Sequence, residues 1–323
     1  MMAPFNGKLV TVFGGSGFVG RYVVRLLAKR GWRVRVAVRR PDLAGHLQPD
    51  GAVGQIQPIQ ANLRYPESVT RAIAGADAVI NLVGILYETG KQGFDAVQAD
   101  GAATVAKAAA AAGISNFVQI SAIGADAGSD SDYARSKAAG EAAVLAAIPS
   151  AVIVRPSIVF GQEDDFFNRF GAMARLSPVL PLIGGGKTRF QPVYVGDVAE
   201  AIVNAVDGKA TPGATYELGG PEVKSFKECM ELVNAETLRS RFLVPLPVGL
   251  AKLQAMFLQL LPKPMLTVDQ VKLLGADNVV SEAAKAERRT LEGLGVAPHT
   301  LSAILPTYMW RFRTHGQFDR KLA

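Results

Sequence analysis

A cluster of glycines near the start of the chain constrains the fold more than any other feature. Residues 10–20 read VTVFGGSGFVG, and the pattern RYVVRLL follows directly. The order is a short β-branched run, a glycine-rich turn and an amphipathic helix. Two spacings overlap in the turn, Gly14-x-x-Gly17-x-x-Gly20 and Gly15-x-Gly17-x-x-Gly20. Because bare glycines let the backbone approach a phosphate that the helix dipole attracts, the turn is predicted to hold a pyrophosphate.

The first half of the chain alternates between strand and helix patterns, and the strands are mostly apolar. This alternation is typical of a parallel sheet covered by helices on both faces. We therefore predict an α/β fold of the Rossmann type, a doubly wound parallel sheet with a smaller C-terminal α/β lobe. The predicted strands are 9–13, 33–38, 55–59, 78–83, 117–121 and 152–155, and the predicted helices are 17–30, 67–73, 92–112 and 133–145.

After Pro156 the alternation loosens, which indicates a second part of the chain. We predict a dinucleotide-binding domain over residues 1–165, to which a later segment, 190–215, returns. Residues 166–189 and 216–323 are predicted to form the smaller C-terminal lobe and a helical tail.

Composition excludes several classes of protein. The chain has 323 residues, a net charge of +7 and one cysteine, Cys229, which excludes an internal disulfide framework. The positive charge favours an anionic cofactor, lipid or protein partner. The basic residues are dispersed and form no known nucleic-acid-binding motif, so no nucleic acid is expected. The three histidines, His46, His299 and His315, lack metal-ligand spacing, so no metal is expected.

The second predicted strand ends at Arg39 and Arg40. In a dinucleotide fold that binds NAD, an acidic residue at this place accepts hydrogen bonds from the ribose 2′-hydroxyl. Guanidinium groups suit a 2′-phosphate instead. The sequence therefore favours NADP(H) over NAD(H).

A tyrosine and a lysine, Tyr133 and Lys137, lie four residues apart at the start of a predicted helix and so share one face. A free tyrosine has a pKa of about 10 and is a poor acid or base at neutral pH. A neighbouring lysine cation favours the phenolate and can also hold a ribose hydroxyl. The pair is therefore a candidate for acid–base chemistry or for cofactor binding.

These features together resemble the short-chain dehydrogenase/reductase superfamily in its extended or atypical branch. Three further segments fit that superfamily, GISNFVQIS at 113–121, RPSIVFG at 155–161 and QPVYVGDVA at 191–199. The C-terminal third is similar to the family of alpha-subcomplex subunit 9 of NADH:ubiquinone oxidoreductase (complex I) and its bacterial relatives. That similarity is carried by PLPVGLAKL at 245–253, LTVDQVKLL at 266–274, DNVVS at 277–281 and LEGLGVAP at 291–298.

The resemblance implies a tightly held NADPH with a structural role, in an accessory subunit on the peripheral arm of complex I near the membrane. It also assigns cofactor contacts residue by residue. The phosphates would lie on the glycine-rich turn, the 2′-phosphate on the two arginines, adenine after the third strand, and the ribose and nicotinamide on the fourth strand, the tyrosine–lysine pair and the sixth strand. The implied residues are Gly14, Ser16, Gly17, Phe18, Val19, Gly20, Arg39, Arg40, Asn62, Leu63, Leu82, Val83, Gly84, Ser121, Tyr133, Lys137, Pro156 and Ile158.

Two departures from the family pattern concern catalysis. Catalytic relatives carry a hydroxyl after the fifth strand that polarises a substrate carbonyl, and here that position is Ala122, with Ser121 one residue earlier. Neighbouring residues on a strand point to opposite faces. Relatives also often carry an asparagine in the long helix where this chain has Asp100. Tyr133, Lys137 and Ser121 are therefore the candidate catalytic residues of an incomplete set.

Three functions remain open from the sequence. The first is a cofactor-holding accessory subunit of complex I. The second is an active NADPH-dependent reductase, or an epimerase or dehydratase acting on a nucleotide sugar. The third is a regulatory protein that senses NADP(H).

The amphipathic region 250–261 also has two interpretations. Its leucines and Phe257 recur at helical spacing and fit either the core of the lobe or a contact with a membrane surface or a partner. The N-terminal residues show no signal-peptide pattern, and no stretch of about 20 apolar residues is present to span a membrane. We expect a peripheral location on the cytoplasmic face of a bacterial inner membrane, or on the matrix side in a mitochondrion.

Overall fold

A computed structural model describes residues 7–261, 264 and 266–319. The chain divides into two units, each built from separate stretches of sequence. The first unit contains Met1–Pro156, Gly196–Leu218 and Glu282–Ala297, and the second contains Ser157–Val195, Gly219–Ser281 and Pro298–Ala323. The first domain was predicted to end at residue 165, and the first stretch of the first unit ends at Pro156. The later return was predicted at 190–215 and is found at 196–218. The return of Glu282–Ala297 to the first unit formed no part of the prediction.

The strands of the described chain are mostly short. In chain order they are β1 (Leu9–Phe13), β2 (Arg33–Val38), β3 (Ile56–Gln60), β4 (Ala78–Asn81), β5 (Phe117–Ile120), β6 (Val152–Pro156), β7 (Val159–Phe160), β8 (Val179–Ile183), β9 (Arg189–Phe190), β10 (Val193–Tyr194), β11 (Thr215–Leu218), β12 (Lys224–Ser225) and β13 (Phe242–Leu246).

The helices vary from one turn to four turns. In chain order they are α1 (Phe18–Lys29), α2 (Pro66–Ile73), α3 (Asp100–Ala111), α4 (Asp132–Ala147), α5 (Phe167–Leu176), α6 (Val195–Asn204), α7 (Phe226–Thr237), α8 (Val248–Leu258), α9 (Val268–Leu273), α10 (Glu282–Ala286), α11 (Leu301–Ile304) and α12 (Pro306–Met309). Short 3₁₀ and π turns add Pro41–Asp50, Asp95–Ala99, Gly184–Gly186, Ala205–Lys209, Glu292–Leu294, Trp310–Phe312 and Gly316–Phe318.

The first unit is organised around a seven-stranded sheet in the order β11-β6-β5-β4-β1-β2-β3, as far as the chain is described. All its strand pairs are parallel. Val10, Val12, Val79 and Ile153 are fully buried, as expected when helices cover both faces of the sheet. The predicted α/β fold with a Rossmann-type parallel sheet is therefore confirmed.

A polar cluster fastens the later segments onto the first unit. Arg30 Nη1 donates to Asn204 Oδ1 and to Asp207 Oδ2, each at 2.7 Å. Asp207 also accepts from Trp32 Nε1 at 3.0 Å. Asn204 Nδ2 in turn donates to the carbonyl oxygen of Leu294 at 2.7 Å. The end of α1 is thus linked to both returning segments, because each buried polar group finds a partner there.

The second unit has an aromatic core and small sheets of two strands. Phe160, Phe167 and Phe226 are fully buried in this core. β13 pairs with β8 in parallel, β10 with β7 in parallel, and β12 with β9 antiparallel. α7 begins at a capping box, in which Ser225 and Glu228 each accept from the backbone N–H of the other. Neither α7 nor the β8–β13 pair was predicted from the sequence.

The long helix predicted over 92–112 is found as a helical run from Phe94 to Ala111, which includes a π turn near its start. Residues Thr89 and Gln92 form a bridge through two backbone hydrogen bonds of 3.1 and 3.0 Å. The backbone N–H of Phe94 then donates to Glu88 Oε1 at 2.7 Å. A π turn, Asp95–Ala99, follows before α3 starts. These local bonds compete with helical ones and move the start of the helix.

Gly20 supplies a prediction about stability, with Gly249 as the control. A Cβ on Gly20 would lie 2.4 Å from the carbonyl oxygen of Gly14, whereas a Cβ on Gly249 would meet nothing within 4 Å. We expect Gly20→Ala to lower the free energy of unfolding by about 1–3 kcal/mol through overpacking. Gly249→Ala should leave it unchanged or raise it slightly, since both glycines lie in helices. Urea denaturation of both variants checks this, and equal stabilities would contradict it.

Candidate functional site

The glycine-rich turn joins β1 to α1 and is built from backbone contacts. Gly14 has a φ of 75°, and its N–H donates to the carbonyl oxygen of Ala37 at 3.1 Å. The N–H of Gly17 donates to the carbonyl oxygen of Gly14 at 3.0 Å, which closes the turn. Gly20 brings α1 so close that a Cβ there would lie 2.6 Å from the Cα of Gly15. Three glycines thus have separate structural roles. Gly14 adopts a left-handed conformation, Gly17 closes the turn, and Gly20 allows the close approach of α1.

The start of α1 is open to an anion. No side chain of the described residues caps the helix at Gly17, and the first turn of α1 contains no acidic residue. The first N–H groups of a helix have no partner within the helix, and the helix dipole is positive there. Ser16, Phe18 and Val19 are all partly exposed around this end. The turn therefore fits the pyrophosphate of a dinucleotide, and a Cβ at Gly20 would push α1 away from the backbone of Gly14 and Gly15.

Arg39 and Arg40 follow β2 and are both exposed. Arg39 Nη1 donates to Gln92 Oε1. Arg40 forms a two-pronged contact with Asp42, from Nη2 to Oδ2 at 2.7 Å and from Nε to Oδ1 at 3.3 Å. The contact raises the pKa of the Arg40 guanidinium and lowers that of the Asp42 carboxyl, chiefly through this side-chain hydrogen bond. Two cations thus lie at the sheet edge where a cofactor ribose is expected.

The predicted adenine-side residues, Asn62 and Leu63, follow β3. The backbone N–H of Asn62 donates to Ser68 Oγ at 3.0 Å, and Asn62 Oδ1 accepts from the backbone N–H of Arg64 at 3.2 Å. Leu63 is partly buried against the core of the first unit and approaches Gly101. The segment is therefore held by local bonds with its side chains at the carboxyl end of the sheet.

The end of β4 lies directly against the glycine-rich turn. A Cβ on Gly14 would lie 3.2 Å from the carbonyl carbon of Leu82 and 3.3 Å from Val83 Cγ2. The N–H of Leu82 donates to the carbonyl oxygen of Phe13 at 3.0 Å. Gly84 then approaches α4, since a Cβ there would lie 3.1 Å from Lys137 Nζ. Leu82, Val83 and Gly84 therefore link the turn to the tyrosine–lysine helix, as one cofactor site requires.

Tyr133 and Lys137 lie in the first turns of α4, which Ser131 caps by accepting from the N–H of Ala134. Lys137 Nζ lies 5.7 Å from the centroid of the Tyr133 ring. Burial lowers the pKa of Lys137 to about 8, although Glu141 opposes this shift. Burial also raises the pKa of Tyr133 to about 12. In this structure, desolvation therefore outweighs the stabilisation of the phenolate expected from the neighbouring lysine.

Gln98 is a site residue that the sequence analysis missed. It lies in the π turn, is 3% exposed, and donates from Nε2 to Ser136 Oγ at 3.1 Å. Its Oε1 has no hydrogen-bond partner among the described residues. That atom and Lys137 Nζ both face Gly84, 3.5 and 3.1 Å from where a Cβ would lie there. Asp100, the position aligned with the family's asparagine, is instead exposed at the start of α3, and no signal in the sequence revealed the turn that causes this difference.

Ser121 follows β5 and is 5% exposed. Its N–H donates to the carbonyl oxygen of Val154 at 2.7 Å, while its Oγ is buried and has no partner within the described chain. Ala122, which takes the place of the expected hydroxyl, is partly exposed. The hydroxyl that this segment carries is thus on the residue that is shielded from solvent.

The two residues predicted to lie near the nicotinamide belong to different units. Pro156 ends β6 in the first unit, and its carbonyl oxygen accepts from the N–H of Ile123 at 3.0 Å. Ile158 belongs to the second unit and packs partly against the core of that unit.

An apolar surface on the second unit is formed by β13, α8 and the residues after α8. In α8 the buried residues are Ala251 and Ala255, so small side chains face the core. Large apolar side chains point outward instead. They are Phe242, Val244, Val248, Leu250, Leu253, Met256, Phe257, Leu260 and Leu261. Of the two interpretations of region 250–261, the structure therefore supports an exposed surface, with Leu258 partly buried.

The described part of the chain shows neither a metal site nor a membrane-spanning helix. No three histidine, cysteine or acidic side chains there come together as metal ligands would. None of the described helices combines the length and the apolar character needed to cross a bilayer.

Comparisons with known proteins give the family. Residues 10–219 match the NAD dependent epimerase/dehydratase family. The mitochondrial NADH dehydrogenase [ubiquinone] 1 alpha subcomplex subunit 9 of Arabidopsis thaliana is 38% identical over 96% of this chain and 79% of its own length. A ceramide reductase of Caulobacter vibrioides is 38% identical over 62% of each chain.

Solved structures share the fold. A dTDP-glucose 4,6-dehydratase variant from Streptomyces venezuelae with NAD bound superposes with a TM-score of 0.70 at 18% identity, over 95% of this chain and 98% of that one. The sheet order and the glycine-rich turn agree with the family that these similarities indicate. The chain therefore belongs to the NAD dependent epimerase/dehydratase family and, within it, to the family of alpha-subcomplex subunit 9 of NADH:ubiquinone oxidoreductase (complex I).

Proposed function

We propose that the chain holds NADP(H) as an accessory subunit of a complex I, where the bound nucleotide has a mainly structural role. The similarity to subunit 9 extends over 96% of the chain, including the C-terminal segments that lie outside the epimerase match. The observation that carries the cofactor assignment is the pair of exposed guanidinium groups after β2, beside the uncapped start of α1. A 2′-phosphate is an anion that such a pair suits.

Different residues of the first unit would bind different parts of the nucleotide. The turn at Gly14, Gly17 and Gly20 would hold the pyrophosphate, and Arg39 with Arg40 the 2′-phosphate. The nucleotide would supply a hydride donor or acceptor, as nicotinamides do. A structural role for the bound nucleotide would require these binding contacts alone, without hydride transfer.

Three features support a structural role over catalysis. With a pKa raised to about 12, Tyr133 is a weak proton donor at neutral pH. The Ser121 hydroxyl is buried, and Ala122 has no hydroxyl to polarise a carbonyl. Tyr133 and Lys137 would then act as a clamp on the nicotinamide ribose.

The arginine pair gives the first test of the proposal. We expect Arg39→Gln and Arg40→Gln each to weaken NADPH binding by roughly tenfold or more, since each removes a charge-assisted contact. NADH binding should change little. Calorimetry with both nucleotides measures this, and Arg71→Gln, an exposed arginine at the end of α2, is the matched control. Tighter binding of NADH than of NADPH by the unaltered chain would refute the cofactor assignment.

Lys137 gives a second test, through pH. Its pKa of about 8 means that the ammonium form prevails below that pH and can donate to a ribose hydroxyl. Since the nucleotide would bind the charged form, we expect NADPH affinity to be full below pH 8 and to fall as the pH rises through it. Lys137→Met should weaken binding and remove this dependence, whereas Lys107→Met, which alters an exposed lysine of α3, should leave both unchanged. A wild-type profile that is flat across this range would count against the clamp.

The apolar surface of the second unit supports a membrane contact. Large exposed apolar patches on proteins mark sites of contact with other proteins or with membranes. Between Glu236 and Asp269 the sequence carries four basic residues and no acidic one. A stretch of sequence that carries apolar and basic residues without acidic ones suits the surface of an anionic bilayer. The chain would thus lie peripherally on the cytoplasmic face of a bacterial inner membrane, or the matrix face in a mitochondrion, among the neighbouring subunits of complex I.

Phe257 and Leu260, which are 69% and 79% exposed, test this contact. We expect the double change Phe257→Ser, Leu260→Ser to weaken binding to vesicles of phosphatidylcholine and phosphatidylglycerol by roughly tenfold or more, because buried apolar area drives insertion. The matched control is Leu43→Ser, Val53→Ser, at residues that are 64% and 103% exposed on the first unit. Equal losses in both double variants would contradict the assignment. Unchanged vesicle binding with loss of co-purifying subunits would identify a protein as the occupant instead.

A second candidate function is an NADPH-dependent reductase. It is favoured by Tyr133 and Lys137 on one face of α4 and by the similarity to a ceramide reductase over 62% of the chain. In that case Tyr133 would donate its proton to a substrate carbonyl oxygen. Oxidation of the retained NADPH on addition of carbonyl compounds would separate this candidate from the structural role.

A further inference from the structure

The carboxylate of Asp42 binds the guanidinium of Arg40, one of the two cations that the proposed function assigns to the 2′-phosphate. Arg40 Nη2 and Nε contact Asp42 Oδ2 and Oδ1 at 2.7 and 3.3 Å, so the carboxylate fills the planar fork of the guanidinium. Both side chains are exposed, at 68% and 58%. Arg40 and Asp42 flank Pro41, which starts a 3₁₀ segment, so the pair is short-range and lies at the end of β2.

The neighbouring arginine has a different kind of partner. Arg39 Nη1 donates to Gln92 Oε1, an uncharged amide on the bridge formed by Thr89 and Gln92. A neutral amide competes weakly for a guanidinium and does not repel a phosphate. Of the two arginines, Arg40 is therefore the one whose partner opposes an incoming dianion.

We propose that Asp42 is a specificity-determining residue that restrains the preference of this chain for the 2′-phosphorylated coenzyme. This inference rests on the proposed NADP(H) site. A 2′-phosphate that reached Arg40 would have to displace the carboxylate and would then remain close to it, and both effects oppose binding. An unphosphorylated ribose meets no such penalty, because a carboxylate accepts hydrogen bonds from a 2′-hydroxyl. The site therefore carries determinants for both coenzymes, two guanidinium groups for one and a carboxylate for the other.

The size of the effect follows from the exposure of the pair. Exposed ion pairs are weak, and a charge near a phosphate at the surface acts through a high dielectric. Removing the carboxylate should therefore raise NADPH affinity roughly three- to thirtyfold. The gain should shrink as salt is added, because exposed charges are screened.

Asp42→Asn tests the proposal, since it keeps the shape of the side chain and removes its charge. We expect this variant to bind NADPH more tightly and NADH equally or less tightly, as measured by calorimetry at low and at high salt. Glu282→Gln is the matched control, because it removes one carboxylate from an exposed pair with Lys285 elsewhere on the first unit. In an Arg40→Gln background, Asp42→Asn should keep only part of its effect, because the competition for Arg40 is gone and only the repulsion between the carboxylate and the phosphate remains.

The outcomes separate this inference from the function on which it rests. If the unaltered chain binds neither coenzyme, the proposed function fails and the inference fails with it. If NADPH binds but Asp42→Asn changes the affinities for NADPH and NADH by the same factor, or lowers that for NADPH, Asp42 is not a restraint and the proposed function stands.

Discussion

The close contact between the start of α1 and the turn before it is the constraint on which the rest of the first unit depends. Gly20 lies against the backbone of Gly14 and Gly15 with no room for a Cβ. That approach sets the position of the helix against the central strand of the parallel sheet. It also aims the uncapped end of the helix at the edge where β2 and β4 end. Sheet packing and anion binding are therefore satisfied by the same backbone contact.

Much of the first unit could be predicted because each pattern there has one local cause. The run at Leu9–Phe13 is β-branched and aromatic, and the strand has the predicted bounds. The glycine-rich turn and the arginines after β2 lie where the order of strand, turn and helix along the sequence predicts them. Gln98 could not be found in this way, because a π turn places it and hydrogen bonds from Thr89 and Phe94 delay the helix. Sequence periodicity carries no sign of such competing bonds.

The second unit was less predictable for a different physical reason. Its strands are short, and β13 pairs with β8, about 60 residues earlier in the chain, so pairing is decided by tertiary contact. The same holds for the side-chain pair at Tyr133 and Lys137. Spacing correctly placed both on α4, yet it gave no measure of burial, and burial opposes charge on both groups. Whether a residue is near another can be inferred from helical spacing, but the solvent around it cannot.

α8 reverses the usual order of a helix at a protein surface, with alanines inward and large apolar side chains outward. The packing of α8 onto the second unit therefore buries little apolar surface, and the outer face of the helix is exposed to solvent. A newly made copy of this chain would therefore be prone to aggregate through the outer face of α8 for as long as that face is exposed.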